Sequence, residues 1–279
     1  MRQSEIKRYT EANRAAWNEV MPKHQQASKD KWDKLFSRSG FVRFDSAETK
    51  LLRKVGIKGR NVVHLCCNNG VDLMSLKNLG ADQCVGFDIS DKAIQEASER
   101  ALRLRMSCKF VRSDVYEIDA AYLNRFDLVY ISVGCLGWMP DLELFFKKAA
   151  ALLKEHGLIF IHEIHPFVDM LPVEDEKEAG SLQIVGSYFR REPYEETGGL
   201  DYIGNSKYDS TTTQYWFVHP LSSILMGLIS SRINLEHFSE YPTAVSPNHV
   251  QFEEAKAGVP LSYILIGRKQ AGNWPRPAP

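Results

Sequence analysis

The stretch VVHLCCNNGVDLMSL, residues 62–76, decides how this chain is read. Val62-Val63-His64-Leu65 has the apolar run of a buried strand, and VDLMSL has the pattern of a helix packed on a sheet. Between them lies the turn Cys66-Cys67-Asn68-Asn69-Gly70. A strand-to-helix turn at the mouth of a parallel sheet brings its backbone close to a ligand, which favours small residues and positive φ. Only Gly70 is glycine here. Asn is the best non-glycine residue for left-handed backbone, so Asn68 and Asn69 partly replace it. On these residues alone, a plain structural turn is as good a reading as a ligand loop.

The neighbouring sequence extends the pattern. Short, β-branched, apolar strands (QCVGFDI, CKFVRSD, FDLVYIS, LIFIHEI) alternate with helices expected over 71–79, 91–105 and 141–154. Strands apolar on both faces and separated by helices predict a parallel sheet covered on both sides. Helices are also expected over 4–20 and 46–55, with a polar connector between them. The stretch EHG should stop the helix over 141–154. After Pro166 the rhythm changes, and residues 167–218 read as a cap of irregular strands. A helix over 220–231 and two strands, INLEHFSEY and LSYILIG, follow; the two strands should pair as an antiparallel hairpin at the sheet edge. The tail AGNWPRPAP is proline-rich and reads as disordered.

Composition narrows the class. The 279 residues hold 44% hydrophobic and 25% charged residues, with 35 basic and 35 acidic side chains. Zero net charge and no sustained basic run argue against a nucleic-acid partner. No apolar run reaches membrane-spanning length, and the polar start does not read as a secretory signal, so a cytoplasmic protein is expected. The five cysteines form no CxxC pair, which argues against a zinc site and for reduced thiols; no metal is expected.

Asp88 closes the second strand, where a carboxylate can accept both hydroxyls of a ribose, and Asp114 closes the third. Each alone is an ordinary cap or turn residue. Together with the 66–70 loop they stand in register at the ends of three successive strands.

The stretches HLCCNNGVDLMSLKNLGA, VGFDISDKAI, FVRSDVYEI and FDLVYISVGCLGWMPDLELFFKKAAALLKEHGLIFIHEIHP resemble the class I S-adenosylmethionine-dependent methyltransferases. The likeness is to small-molecule methyltransferases whose loop reads H-L-x-C-x-x-G-x-D. It covers roughly 60–165, with 215–268 as closing strands. His64 holds the place of the family's acid, and Cys66 and Asn68 hold two glycine places. The resemblance implies an α/β fold with a Rossmann-like, seven-stranded, mostly parallel sheet. It divides the chain into an N-terminal helical lid (1–45), a core (46–166 and 219–269), an inserted cap (167–218) and a tail (270–279).

It also implies S-adenosyl-L-methionine as cofactor, with its methionine end along Cys66, Cys67, Asn68, Asn69 and Gly70. The ribose meets Asp88, Ile89 and Val115 flank the adenine near Asp114, and Ser132 and Val133 flank the sulfonium. A nicotinamide enzyme has the same topology but needs glycine amides against a pyrophosphate, which this loop disfavours. Methyl transfer to oxygen or nitrogen of a small molecule is the expected activity. An aminopropyl transferase or a non-catalytic cofactor-binding partner protein are the alternatives.

His165 and Glu163 in IHEIHP are the candidate catalytic groups. His162 reads as a core histidine. Trp17, Trp138, Tyr188, Tyr215, Trp216 and His219 are the candidate acceptor-binding residues, and Tyr194, Tyr202 and Tyr208 add aromatic weight to the cap. Aromatic side chains build an apolar pocket or a cage for a cationic amine, or they simply pack the cap.

Overall fold

The computed structural model describes residues 1–172, 182–198, 200 and 210–271. Helix α1 (Gln3–Phe36) and helix α2 (Ser46–Lys54, capped by the Asp45 carboxylate) precede the alternating core. The core then runs β1 (Val62–Leu65), α3 (Val71–Asn78), β2 (Cys84–Asp88), α4 (Asp91–Arg103), β3 (Lys109–Arg112), β4 (Phe126–Ile131), α5 (Leu142–Leu152) and β5 (Leu153–Ile164). A two-stranded ribbon, β6 (Tyr194–Thr197) and β7 (Thr213–Trp216), stands apart from the sheet. Helix α6 (Leu221–Ser230), β8 (Ile233–Tyr241), the short α7 (Val250–Glu254) and β9 (Ser262–Lys269) complete the described fold.

The seven strands lie in the order β3-β2-β1-β4-β5-β9-β8. The first five are parallel, β9 enters antiparallel between β5 and β8, and β8 with β9 forms the expected edge hairpin. Leu65 at the end of β1 stands opposite Phe87 on one side and Ile131 on the other. The chain winds outward in both directions from the β1–β4 pair. The crevice beyond the C-terminal ends of these two strands is therefore the topological switch point where such sheets bind ligands. Both faces are covered. One buries Val63, Leu65, Val129, Phe145 and Ile159 against α5 and α6, and the other buries Leu73, Tyr130, Phe160 and Ile264.

Three expectations need correction. The polar stretch after residue 20 is helix, because α1 runs unbroken through Pro22 to Phe36. Its inward positions Val20, Met21, His24, Ser28 and Phe36 are all buried, so tertiary packing outweighs the amide that proline lacks. The stretch KEHG does not end a helix: α5 stops at Leu152, and Lys154, Glu155 and His156 belong to β5, with His156 at φ 60°. The 167–218 segment contains a 3-10 turn, Pro166–Met170, and the regular β6–β7 ribbon among its described residues. Tyr202, Tyr208 and most of the 270–279 tail lie outside the described residues.

Candidate active site

The loop after β1 is built from left-handed residues. Cys66, Asn68 and Gly70 take φ of 55°, 47° and 78°. These are the three positions where the resembling family carries glycine. Asn68 stabilises its own turn by accepting the Asn69 N–H on Oδ1 at 2.7 Å. Gly70 starts α3 in the left-handed region, and a Cβ there would meet the Phe110 ring at 2.6 Å and the Ala97 methyl at 3.0 Å. A side chain is therefore excluded by both backbone and space.

Asp88 faces this loop. Its carboxylate accepts the Asn68 N–H at 2.7 Å and the Ser90 N–H at 2.8 Å. Burial pushes its pKa up to about 6, against the amides of Ser90, Asn68 and Ile89 that favour the charged form. The Asn68 and Ser90 hydrogen bonds fall on different oxygens, so acceptor capacity remains for ribose hydroxyls. Asp114 caps the turn after β3 through the Tyr116 N–H, and burial raises its pKa. Val115 is buried beside it, Ile89 is half-buried, and Ser132 and Val133 follow β4. The predicted cofactor-binding residues thus all lie at the C-terminal ends of β1 to β4, and the remaining acceptor capacity of Asp88 suits the ribose diol of S-adenosylmethionine.

Several groups that hold this loop carried no signal in the sequence. Arg100 on α4 is fully buried and donates from Nη1 to the Asn69 carbonyl at 2.8 Å. Glu96 and Asp33 hold its other nitrogens. His64 is buried with Nε2 at 2.9 Å from Ser132 Oγ, tying β1 to the end of β4. Burial lowers the His64 pKa to about 4.

Helix α1 clamps the crevice from above. Arg14 and Asn18 donate to Asp91 at the start of α4, and Asn18 Oδ1 accepts the Ser90 hydroxyl at 2.7 Å. Asn13 accepts the Tyr215 N–H at 2.7 Å and donates to the Tyr215 carbonyl at 3.0 Å. The helix is thus bolted to both α4 and β7.

The two candidate catalytic groups are held by the backbone. Glu163 is buried and accepts N–H groups from Gly134 (2.9 Å), Leu136 (2.8 Å) and Ile164 (2.8 Å). Burial pushes its pKa up to about 7 although these amides favour the carboxylate. His165 accepts the Phe167 N–H on Nδ1 at 3.1 Å, which leaves the proton on Nε2, 3.0 Å from Glu240 Oε1. Burial lowers its pKa, with Glu240 opposing. His162 packs in the core with Nδ1 at 2.9 Å from Glu48, which also accepts the Tyr130 hydroxyl. Asp45, Glu48 and His162 place ligand atoms within 4.8 Å of one another, but these hydrogen bonds account for the group without an ion.

The acceptor-side candidates divide. Trp17, Trp138 and Trp216 meet in a chain of edge-to-face contacts, with centroids 5.5 and 5.0 Å apart. Trp216 lies directly on the loop after β4: a Cβ on Gly137 would meet its ring at 2.3 Å. Its Nε1–H donates to Asp169 at 3.2 Å, a contact that the sequence did not signal. Tyr215 packs edge-on against Tyr9, and His219 lies 2.9 Å from the Met139 carbonyl. Tyr188 stands apart, accepting the Leu221 N–H at the start of α6. A cavity of about 620 Å³ is lined by Tyr9, Arg190, Arg191, Phe217 and His219. None of its walls comes from the 66–70 loop.

With this geometry established, comparison with known proteins gives the family context. Residues 62–157 match the family model of a methyltransferase domain. A ubiquinone biosynthesis O-methyltransferase from Bradyrhizobium diazoefficiens is 28% identical over 166 residues, 58% of this chain and 62% of the relative. The chain thus spans less than two thirds of that relative's length. Among solved structures, an S-adenosylmethionine-dependent methyltransferase from Mesorhizobium loti superposes with a TM-score of 0.57 at 21% identity, covering 80% of this chain and 98% of the other. Geranyl diphosphate C-methyltransferase from Streptomyces coelicolor, solved with S-adenosyl-L-homocysteine, gives 0.54 at 11% identity, covering 81% and 79%. The fold is that of the S-adenosylmethionine-dependent methyltransferases, a Rossmann-like seven-stranded sheet. Among the described residues no helix is long and apolar enough to cross a membrane.

Proposed function

We propose that this chain is an S-adenosyl-L-methionine-dependent methyltransferase acting on oxygen or nitrogen of a small molecule. One observation carries the reading: three left-handed residues, Cys66, Asn68 and Gly70, shape the loop after β1 directly against the Asp88 carboxylate. The family match over 62–157 supports it, as does the cofactor product bound in the Streptomyces coelicolor structure. The cofactor supplies an electrophilic methyl group on a sulfonium.

The chain's own residues then position and desolvate. Asp88 takes the ribose hydroxyls, Ile89 and Val115 flank the adenine near Asp114, and the 66–70 loop lies along the methionine end. Ser132 and Val133 border the transfer point. Holding reactants in line and excluding water are together worth up to several kcal/mol of barrier. Glu163 serves as a brace, since its three amide partners fix the turn between Gly134 and Leu136 beside that point. His165 is oriented by Phe167 and Glu240 and contributes as a base only if the Glu240 contact opens.

Residues 1–45 act as the lid, 46–166 and 219–269 as the core, and 167–218 as the cap over the acceptor, with Trp17, Trp138, Trp216, Tyr215 and His219 as the acceptor's contacts. The partner is a small molecule rather than nucleic acid, in keeping with zero net charge. The test is release of S-adenosylhomocysteine from S-adenosylmethionine by purified protein against a panel of phenols and amines. Acceptor-dependent release supports the reading. Cofactor binding with no release for any acceptor would favour a non-catalytic binding protein.

A further inference from the structure

Asp169 is a half-buried carboxylate that accepts, among the described residues, a hydrogen bond from one neutral side-chain donor, the Trp216 indole N–H at 3.2 Å. Among the described residues no Lys, Arg or His forms an ion pair with it. It lies in the 3-10 turn that follows β5, at the same end of the sheet as the 66–70 loop. Trp216, which holds it, rests on Gly137 in the loop after β4 and meets Trp138, which in turn meets Trp17 of the lid. All three indoles are half-buried, so each keeps exposed surface. The interplanar angles of 77° and 88° set each ring edge-on against its neighbour, so the three form one continuous aromatic surface.

A carboxylate taken from water without a cation is unfavourable, and the molecule meets that cost where a cationic ligand completes the charge. The part of each indole face that stays exposed attracts the same ligand through the ring quadrupole. Burial pushes the Asp169 pKa up to about 6, so the group is a better proton acceptor than an exposed aspartate.

We propose that Asp169 is the acceptor anchor: its carboxylate holds the ammonium of an amine acceptor against the wall made by Trp17, Trp138 and Trp216. This rests on the methyl-transfer reading and narrows it to nitrogen. The bound ammonium gives one proton to the Asp169 carboxylate and becomes a neutral amine. The nitrogen lone pair attacks the methyl carbon, a C–N bond forms, the C–S bond breaks, and its electron pair leaves with sulfur. The products are a methylated ammonium and S-adenosylhomocysteine, and Asp169 later returns its proton to solvent.

The test uses the full chain and Asp169→Asn, which keeps an acceptor oxygen for the Trp216 N–H. Binding of benzylamine, phenethylamine and tryptamine, and of phenols on matching frames, is read by intrinsic tryptophan fluorescence with S-adenosylhomocysteine present. Cofactor affinity is read separately by calorimetry, and the thermal midpoint checks the fold. The expected result is amine binding in the parent chain, at least tenfold weaker binding in Asp169→Asn, and cofactor affinity changed less than twofold. Cofactor binding with no amine bound, or equal amine binding by both proteins, overturns the proposal. So does weakened cofactor affinity in Asp169→Asn, which would place the carboxylate against the sulfonium instead. Failure of the parent chain to bind the cofactor overturns the methyltransferase reading itself.

Discussion

At the scale of single residues, the site depends on positions that tolerate little else. Gly70→Ala puts a Cβ 2.6 Å from the Phe110 ring at a φ of 78°. The substitution should destabilise the protein by about 1–3 kcal/mol, read as a lower urea midpoint. His64 carries a pH signature. The folded chain keeps its imidazole neutral down to about pH 4, while the unfolded chain takes the proton near 6.5. The unfolded state therefore binds more protons in that window, and stability falls as pH drops from about 6.5 to about 4. Stability profiles of the parent chain and His64→Asn should diverge across this range and run parallel above pH 7. Parallel profiles throughout would mean that His64 is not held neutral. Part of this was legible in advance: Asn68 and Gly70 take the left-handed backbone expected of them, whereas Asn69, expected to share it, does not. The left-handed Cys66 was not, since cysteine has no such preference. Arg100 and Asp169 were also invisible: a lone charged side chain in a helix or after a proline looks solvated until the fold buries it.

At the scale of elements, α1 shows where sequence patterning loses to packing. Pro22 and the polar run after it break the expected helix, yet the buried inward face keeps it continuous to Phe36. Proline at residue 22 supplies no N–H to the carbonyl of Asn18, the residue whose side chain clamps Ser90 and Asp91. Pro22→Ala should restore that hydrogen bond and raise stability by about 1–3 kcal/mol, measured as a higher thermal midpoint. A lower midpoint would show that the proline shapes a bend the lid needs. The strands, by contrast, were legible in number and order, though β5 starts at Leu153, five residues before the expected run. Parallel strands buried on both faces must be short and apolar, and the helices between them must carry caps such as Ser90 and Asp141. The ribbon β6–β7 lacked this signal because Gln214 is the one buried residue among its eight.

At the scale of the whole molecule, the sheet order places a ligand crevice between β1 and β4. The 66–70 loop and Asp88 stand at its mouth, and α1 is tied to α4 and β7. The topology follows from the alternation of elements, so the place of the switch-point crevice was readable. The proposed acceptor contacts were not, because they come from α1, the β4 loop, the turn after β5 and β7, which only folding brings together.

The central claim is that this crevice binds S-adenosylmethionine through Asp88. Isothermal titration of the parent chain and Asp88→Ala with S-adenosylmethionine, S-adenosylhomocysteine and NADH tests it most directly. The account predicts micromolar binding of both sulfur nucleosides, none of NADH, and a loss of about 1.5–3 kcal/mol in the variant, the range for a hydrogen bond to a charged group. Binding of NADH alone, or undiminished affinity in a folded Asp88→Ala, would contradict it.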